Sequence, residues 1–146
     1  MITVLMGAPA SGKSTWLTNN KTGFEHIYDT EPVRANKELD VDAYMSFIRS
    51  KAIKAAENGK DIIADGTHTF KAHRQFWLIL ADRLNLETKL VAFDTALPVL
   101  LAGNSIRQHP ATTKIVYQHN ARMKIALRAI EREQWGSIEV IRRGYE

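Results

Sequence analysis

"MGAPASGKSTW", running from Met6 to Trp16, is the stretch that decides how the rest of this chain is read. It carries the full spacing G-x-x-x-x-G-K-[ST], with Gly7, Gly12, Lys13 and Ser14 in the fixed positions. The short apolar run Ile2–Leu5 precedes it and a helix-compatible stretch follows, which is the context a phosphate-binding loop requires. Its glycines let backbone N–H groups turn inward around phosphate oxygens, and the helix N-terminus adds partial positive charge. The spacing therefore predicts that Gly7, Ala8, Pro9, Ala10, Ser11, Gly12, Lys13, Ser14 and Thr15 hold the phosphates of ATP. Lys13 would bridge the terminal phosphates and Ser14 would ligate Mg²⁺.

Working outward from the loop, short apolar runs alternate with amphipathic stretches. The runs predict strands at Ile2–Met6, Glu25–Asp29, Asp61–Asp65, Thr88–Asp94 and Ile138–Ile141. Helices are expected at Lys13–Asn20, Val41–Asn58, Lys71–Leu84, Pro98–Arg107 and Thr113–Arg132. Tyr44, Met45, Ile48, Ala52 and Ala55 share one face of the second helix, and Gly59 supplies its stop. In the last helix Val116, His119, Met123, Leu127 and Ile130 share a face, and Thr112 or Thr113 caps the start. Strands alternating with helices imply crossover connections, hence an α/β fold with a mostly parallel sheet of about five strands covered by helices. Chemistry in such a sheet gathers at the carboxyl ends of the strands, so the loops after Met6, Asp29, Asp65 and Asp94 should lie along one edge.

Length and composition set the outer bounds. With 146 residues, 45% of them apolar, the chain suits a single domain, 1–146, with one core. There are no cysteines, so neither a disulfide framework nor a thiolate metal site is expected. No apolar run approaches the length of a membrane span and no leader-like segment opens the chain, so no membrane partner and a cytoplasmic location are expected. The net charge of +4 arises entirely in residues 101–146, which hold 8 Lys/Arg against 4 Asp/Glu. A basic C-terminal third suits a polyanionic partner, although it equally describes a solvated basic helix.

The strand "DIIADGTH" narrows the chemistry. ATPases that activate water place an acidic residue beside the aspartate of this strand, whereas Asp65 is followed by Gly66. "ADGT" also resembles part of the aspartyl-phosphate phosphatase signature, but Ile63 stands where that chemistry needs a nucleophilic aspartate. The pattern argues for phosphoryl transfer to a bound hydroxyl. Such a reaction needs a carboxylate to take the hydroxyl proton and cations near the moving phosphoryl group. "HIYDTEPVR" offers both: Asp29 at the strand end, with Glu31 as its rival, and Arg34 a few residues on. "GNSIRQHPATTK" is polar, joins two helices and carries Arg107, the composition of a lid over approximately 103–113.

Together these residues resemble the 5′-kinase module of phage-type polynucleotide kinases, a P-loop kinase with an adenylate-kinase-like sheet and a lid. Gly7, Pro9, Ser11, Gly12, Lys13, Ser14, Thr15 and Trp16 agree with that module's G-x-P-x-S-G-K-S-T-W, and Asn104, Ser105 and Arg107 agree with its lid N-S-x-R. The resemblance implies that Asp29 is the general base, Arg34 binds the acceptor phosphate and Arg107 contacts the phosphates of ATP. Asp29 and Arg34 are two residues further apart than the family's D-x-x-R, and Glu31 would restore the spacing. Asp65, Thr67 and His68 resemble the family's aspartate, threonine and polar residue at the acceptor site, with Gly66 inserted. ATP and Mg²⁺ are the cofactors implied, and nucleic acid 5′-OH ends, DNA or RNA, the partner. A small-molecule kinase for a nucleoside or sugar, or a nucleotide-binding module without turnover, are the alternatives.

The remaining signals are weaker. The histidines show no metal-ligand spacing, and His68 reads either as an acceptor contact or as a surface residue. Phe76 and Trp77 lie on an amphipathic helix and read as core. Lys124, Arg128 and Arg132 recur every four residues on one face, to hold a nucleic-acid backbone or merely to solvate the helix. Nothing in the sequence specifies an oligomeric state.

Overall fold

The computed structural model describes residues 1–20, 22–29 and 41–145. In chain order its elements are β1 (Ile2–Met6), α1 (Lys13–Asn20), β2 (Phe24–Tyr28), α2 (Val41–Glu57), β3 (Asp61–Asp65), α3 (Lys71–Arg83), β4 (Thr88–Thr95), α4 (Leu97–Ser105), α5 (Thr113–Ala129) and β5 (Ser137–Arg143). A 3₁₀ turn, Ile130–Arg132, extends α5. The five strands form one sheet in the order β2-β3-β1-β4-β5, and every described pairing is parallel. The expected α/β architecture is therefore the observed one, and the phosphate loop leaves the central strand.

Strand parity assigns every sheet side chain to one of two faces. Ile2, Val4, Met6, Ile27, Ile62, Ala64, Leu90 and Ala92 point to the first face. There they pack against Ile48, Ala52 and Ala55 of α2, Trp77, Leu80 and Ala81 of α3, and Met123 and Ala126 of α5. Leu5, Ile63, Val91 and Phe93 point to the second face and pack against Leu17 and Trp16 of α1. Trp77 is fully buried on the first face, so its truncation to Ala carries a cost of about 3–5 kcal/mol.

Local signals account for the element ends. Gly59 adopts φ +70, and the backbone N–H groups of Gly59 and Lys60 close the last turn of α2 on Ala56 and Ala55. Thr112 Oγ1 accepts from the Ile115 N–H and caps α5. Two boundaries depart from the sequence expectation in ways that matter. β2 ends at Tyr28, leaving Asp29 just beyond it, and β5 runs on to Arg143 rather than stopping at Ile141. Parallel pairing carries β5 further than its own composition does: Asp94 and Thr95 of β4 align with Arg142 and Arg143.

Candidate active site

A cavity of about 600 Å³ opens at the carboxyl edge of the sheet. Its floor is the phosphate loop from Pro9 to Thr15. One end is made by Tyr28, Asp65, Gly66 and Thr67, and the other by Gly103, Ile106, Arg107 and Arg143. Of the expected site residues, the structure brings Pro9–Thr15, Asp65, Thr67 and Arg107 around this one space. Gly7 and Ala8 lie beneath it, with Ala8 packed against Leu100 and Val116. Glu31 and Arg34 fall outside the described residues.

The loop is held from several sides. The Gly7 N–H donates to the Thr67 carbonyl oxygen at 3.0 Å, tying it to the segment after β3. Thr95 Oγ1, at the end of β4, donates to the Ser11 carbonyl oxygen at 2.8 Å. Lys13 Nζ donates to the carbonyl oxygens of Gly7 and Ala8, at 2.6 and 3.1 Å, so its ammonium lies over the start of the loop. Gly12 adopts φ +110 and Ala10 φ +67, left-handed conformations that turn successive amides and are favoured by glycine. Gly7 is required for another reason: a Cβ there would stand 2.5 Å from Ser11 Oγ and 3.0 Å from Phe93 Cβ. Ser14 is exposed at the helix start, and no cluster of three or more acidic or histidine ligands for a metal occurs among the described residues. A hydroxyl oxygen beside a polyphosphate site fits Mg²⁺, which takes few protein ligands and shares phosphate oxygens.

The two strand-end carboxylates have different surroundings. Asp65 lines the cavity, and its Oδ2 accepts from His26 Nε2 at 2.9 Å. Asp29 does not line it. Each carboxylate is only 5% exposed, but Asp29 Oδ2 receives both Trp77 Nε1 and His68 Nε2, each at 2.5 Å. This departs from the expectation that Asp29 faces the loop, and parity explains it. Tyr28 and Asp65 share the face of α1, whereas Asp29, one residue past Tyr28, turns to the face of α3.

His68 likewise departs from expectation, being neither on the surface nor on the cavity wall. It is fully buried, with φ +49. Its Nδ1 lies 2.6 Å from the Leu5 carbonyl oxygen, which can only accept, so Nδ1 carries a proton. Its other nitrogen then faces Asp29 Oδ2, and the pair must hold a further proton between them. Burial opposes a charged imidazole, but the Asp29 charge and hydrogen bond and the Leu5 carbonyl outweigh it, raising the His68 pKa above its ordinary 6.5. Arg74 buttresses this segment, donating to the carbonyl oxygens of His68 and Thr69 at 3.1 and 3.0 Å while its other N–H groups grip Glu133.

The expected lid spans the end of α4, the loop after it and the first residue of α5. Asn104 clamps it in both directions: Nδ2 donates to the Ala111 carbonyl oxygen at 2.8 Å and Oδ1 accepts from the Ala111 N–H at 3.0 Å. Arg107 is exposed and lines the cavity. Lys124, Arg128 and Arg132 are all exposed, and none of the three lines this cavity. Sequence reasoning did not name five of the lining residues as site residues: Gly66, Gly103 and Ile106, the last two within the expected lid, and Tyr28 and Arg143. The aromatic next to Asp29 was a readable signal for Tyr28, and the doubled arginine at the end of β5 for Arg143.

Comparison with known proteins agrees with the fold. Residues 2–130 match the family described as AAA domain, and the chain belongs to that family. No curated protein is similar to it in sequence. Among solved structures, a chain of the Pnkp1/Rnl/Hen1 RNA repair complex superposes with TM-score 0.68 at 16% identity over 88% of this chain, which spans only 45% of that larger one. A sugar kinase from Janibacter sp. HTCC2649 superposes with TM-score 0.66 at 15% identity, covering 97% of this chain and 84% of that one. Deoxyadenosine kinase from M. mycoides, with bound dATP, gives TM-score 0.58 at 17% identity, covering 97% and 91%. The fold is that of the P-loop kinases.

Proposed function

We propose that this chain is an ATP-dependent kinase that transfers a phosphoryl group to the 5′-hydroxyl of a nucleic acid end. The observation that carries the reading is a cavity with a phosphate loop as its floor and a carboxylate, a threonine and an exposed aromatic at one end. Tyr28 is 47% exposed there, a surface on which the acceptor's terminal base can stack. Asp65 is the described carboxylate that faces this end and takes the hydroxyl proton as the oxygen attacks the γ-phosphorus. Lys13 and Arg107 hold the charge that spreads over the transferred phosphoryl oxygens. Ser14 Oγ would hold Mg²⁺, which would supply positive charge to the nucleotide phosphates. Asp29, buried against His68 and Trp77, shapes the wall behind the loop. Arg34 keeps the role that the resemblance implies, binding the phosphate next to the acceptor hydroxyl.

A nucleoside or sugar acceptor is the second reading, favoured by the sugar kinase and the deoxyadenosine kinase, which superpose over nearly the whole chain. One panel separates them. Transfer of labelled γ-phosphate is measured to a 5′-OH oligonucleotide, a nucleoside 3′-monophosphate, the bare nucleoside and free sugars. The polynucleotide reading requires the first two to be accepted, the bare nucleoside nearly refused, and the preference for longer chains to fade with salt. Equal use of nucleoside and 3′-monophosphate establishes the small-molecule kinase. ATP binding without transfer to any acceptor establishes a binding module without turnover.

A further inference from the structure

We propose that Arg143, the last residue of β5, is a second cation for the donor's polyphosphate, reaching the phosphate loop from the side opposite the acceptor end. The inference rests on the reading of the loop as an ATP site and adds a residue that the loop motif does not contain.

The backbone places it. Arg143 aligns with Thr95 across the β4–β5 pairing, and aligned residues of parallel strands point to the same face. The Thr95 side chain bonds the phosphate loop at Ser11, so the Arg143 side chain leaves the sheet toward the same loop. The Arg143 carbonyl oxygen accepts from the Ala96 N–H at 2.9 Å, which fixes its main chain. Gly144 follows at φ +82 and turns the chain over α4, where a Cβ would stand 2.5 Å from Val99 Cγ2. The guanidinium is delivered against Gly12: its Nη1 lies 2.7 Å from where a Cβ of residue 12 would be. Gly12 thus serves both its own positive φ and the approach of this arginine.

Charge gives the placement meaning. The adjacent Arg142 points to the other face, ion-pairs with Asp94 at 3.4 Å and lies over the Tyr145 ring. No carboxylate forms an ion pair with Arg143 among the described residues. Instead it lines the cavity on the side of Arg107 and the N-terminus of α1, while Asp65, the carboxylate among the lining residues, stands at the other end. A loop of inward-turned amides takes a polyphosphate anion, and a guanidinium beside it that pairs with no described carboxylate is placed to meet that anion. From the β5 side, Arg143 donates charge-assisted hydrogen bonds to phosphate oxygens of the donor, complementing Lys13 and Arg107.

The test is calorimetric binding of Mg·ATP and of inorganic tripolyphosphate, which has the phosphates without the nucleoside, to wild type, Arg143→Ala and Arg143→Lys. Arg143→Met, which keeps bulk without charge, replaces the Ala variant if that one fails to fold. Loss of the arginine should weaken both probes alike, by about 10- to 100-fold, with Lys recovering part of the loss. An equal loss for both probes supports the proposal. A loss confined to ATP means that Arg143 meets the nucleoside and overturns it, as does unchanged binding of both. If wild type binds neither probe, the ATP-site reading itself fails, and that outcome is distinct from a wild type that binds both and a variant that does so equally well.

Discussion

Replacing Asp29 by Asn tests the buried pair behind the loop, and the structure sets the size of the effect. Two groups converge on one oxygen, Asp29 Oδ2: the Trp77 indole N–H and His68 Nε2. The Leu5 carbonyl obliges His68 Nδ1 to be a donor. If the substituted amide presents its oxygen, Trp77 is satisfied, but His68 must stay doubly protonated and buried without a counter-charge, at about 3–5 kcal/mol. If the amide presents its NH₂ instead, neutral His68 is satisfied, but the Trp77 N–H meets another donor, at about 1–3 kcal/mol. The chain takes the cheaper arrangement, so Asp29→Asn should destabilise by about 2 kcal/mol, the middle of the second range. In a Trp77→Phe background the competing N–H is gone, and the same substitution should cost at least about 1 kcal/mol less. Urea unfolding of wild type, both single variants and the double variant at pH 7 measures this. A cost below about 0.5 kcal/mol, or equal costs in both backgrounds, refutes the shared-oxygen account.

The pair also fixes a pH dependence. His68 binds its proton more tightly folded than unfolded, so the stability it contributes is complete below about 6.5 and is lost as pH rises through the higher folded value. Wild type should therefore weaken across that range, and Asp29→Asn should show a flatter profile in urea unfolding repeated at successive pH values. Lys13→Ala should remain folded and lose about 10²–10³ in transfer rate, measured with labelled ATP, and near-normal turnover would remove Lys13 from the reaction. Asp65→Asn should lower turnover by roughly 10² or more while Asp29→Asn stays within about tenfold of wild type; the reverse ranking, or a dead Glu31→Gln beside an active Asp65→Asn, moves the base elsewhere. Glu133 is pushed up by burial, but hydrogen bonds from Arg74 and Trp135 and the Arg74 charge hold its carboxyl below the ordinary 4.5. Its contribution is present above about 4.5 and lost as pH falls, so Glu133→Gln should unfold with less acid dependence than wild type between about pH 5 and 3; an unchanged slope would show that this pair plays no part in acid unfolding.

What the sequence made legible was what is encoded in contiguous residues. The loop is one uninterrupted motif, and both the strand–helix alternation and the apolar faces of α2 and α5 repeat locally. Ile48, Ala52, Ala55, Val116, Met123 and Ile130 are buried as their spacing predicts. What was hidden depended on partners far along the chain. Asp29 is turned inward by residues 39 and 48 positions away. Arg143 meets Gly12 only because β5 aligns with β4 as far as Thr95. A partial clue to the first existed: a buried Trp needs an acceptor for its N–H, and strand-end carboxylates are the natural acceptors near α3.

Parity unites these outcomes. In parallel strands held in register, one residue's shift along the chain exchanges the two sides of the sheet. Tyr28, Asp65, Thr95 and Arg143 share the side of α1, and each reaches the loop or its cavity. Asp29 and Asp94 are one residue off that parity: Asp29 is drawn to Trp77 and His68, and Asp94 to Arg142 and Tyr145. An aspartate at the end of a strand is therefore not by itself a candidate base. Its face decides whether it lines the cavity or holds the fold. By that criterion Asp65, two residues past the buried Ile63 on the same face, is the described carboxylate that lines the cavity, which is why the proposed mechanism assigns it the acceptor's proton.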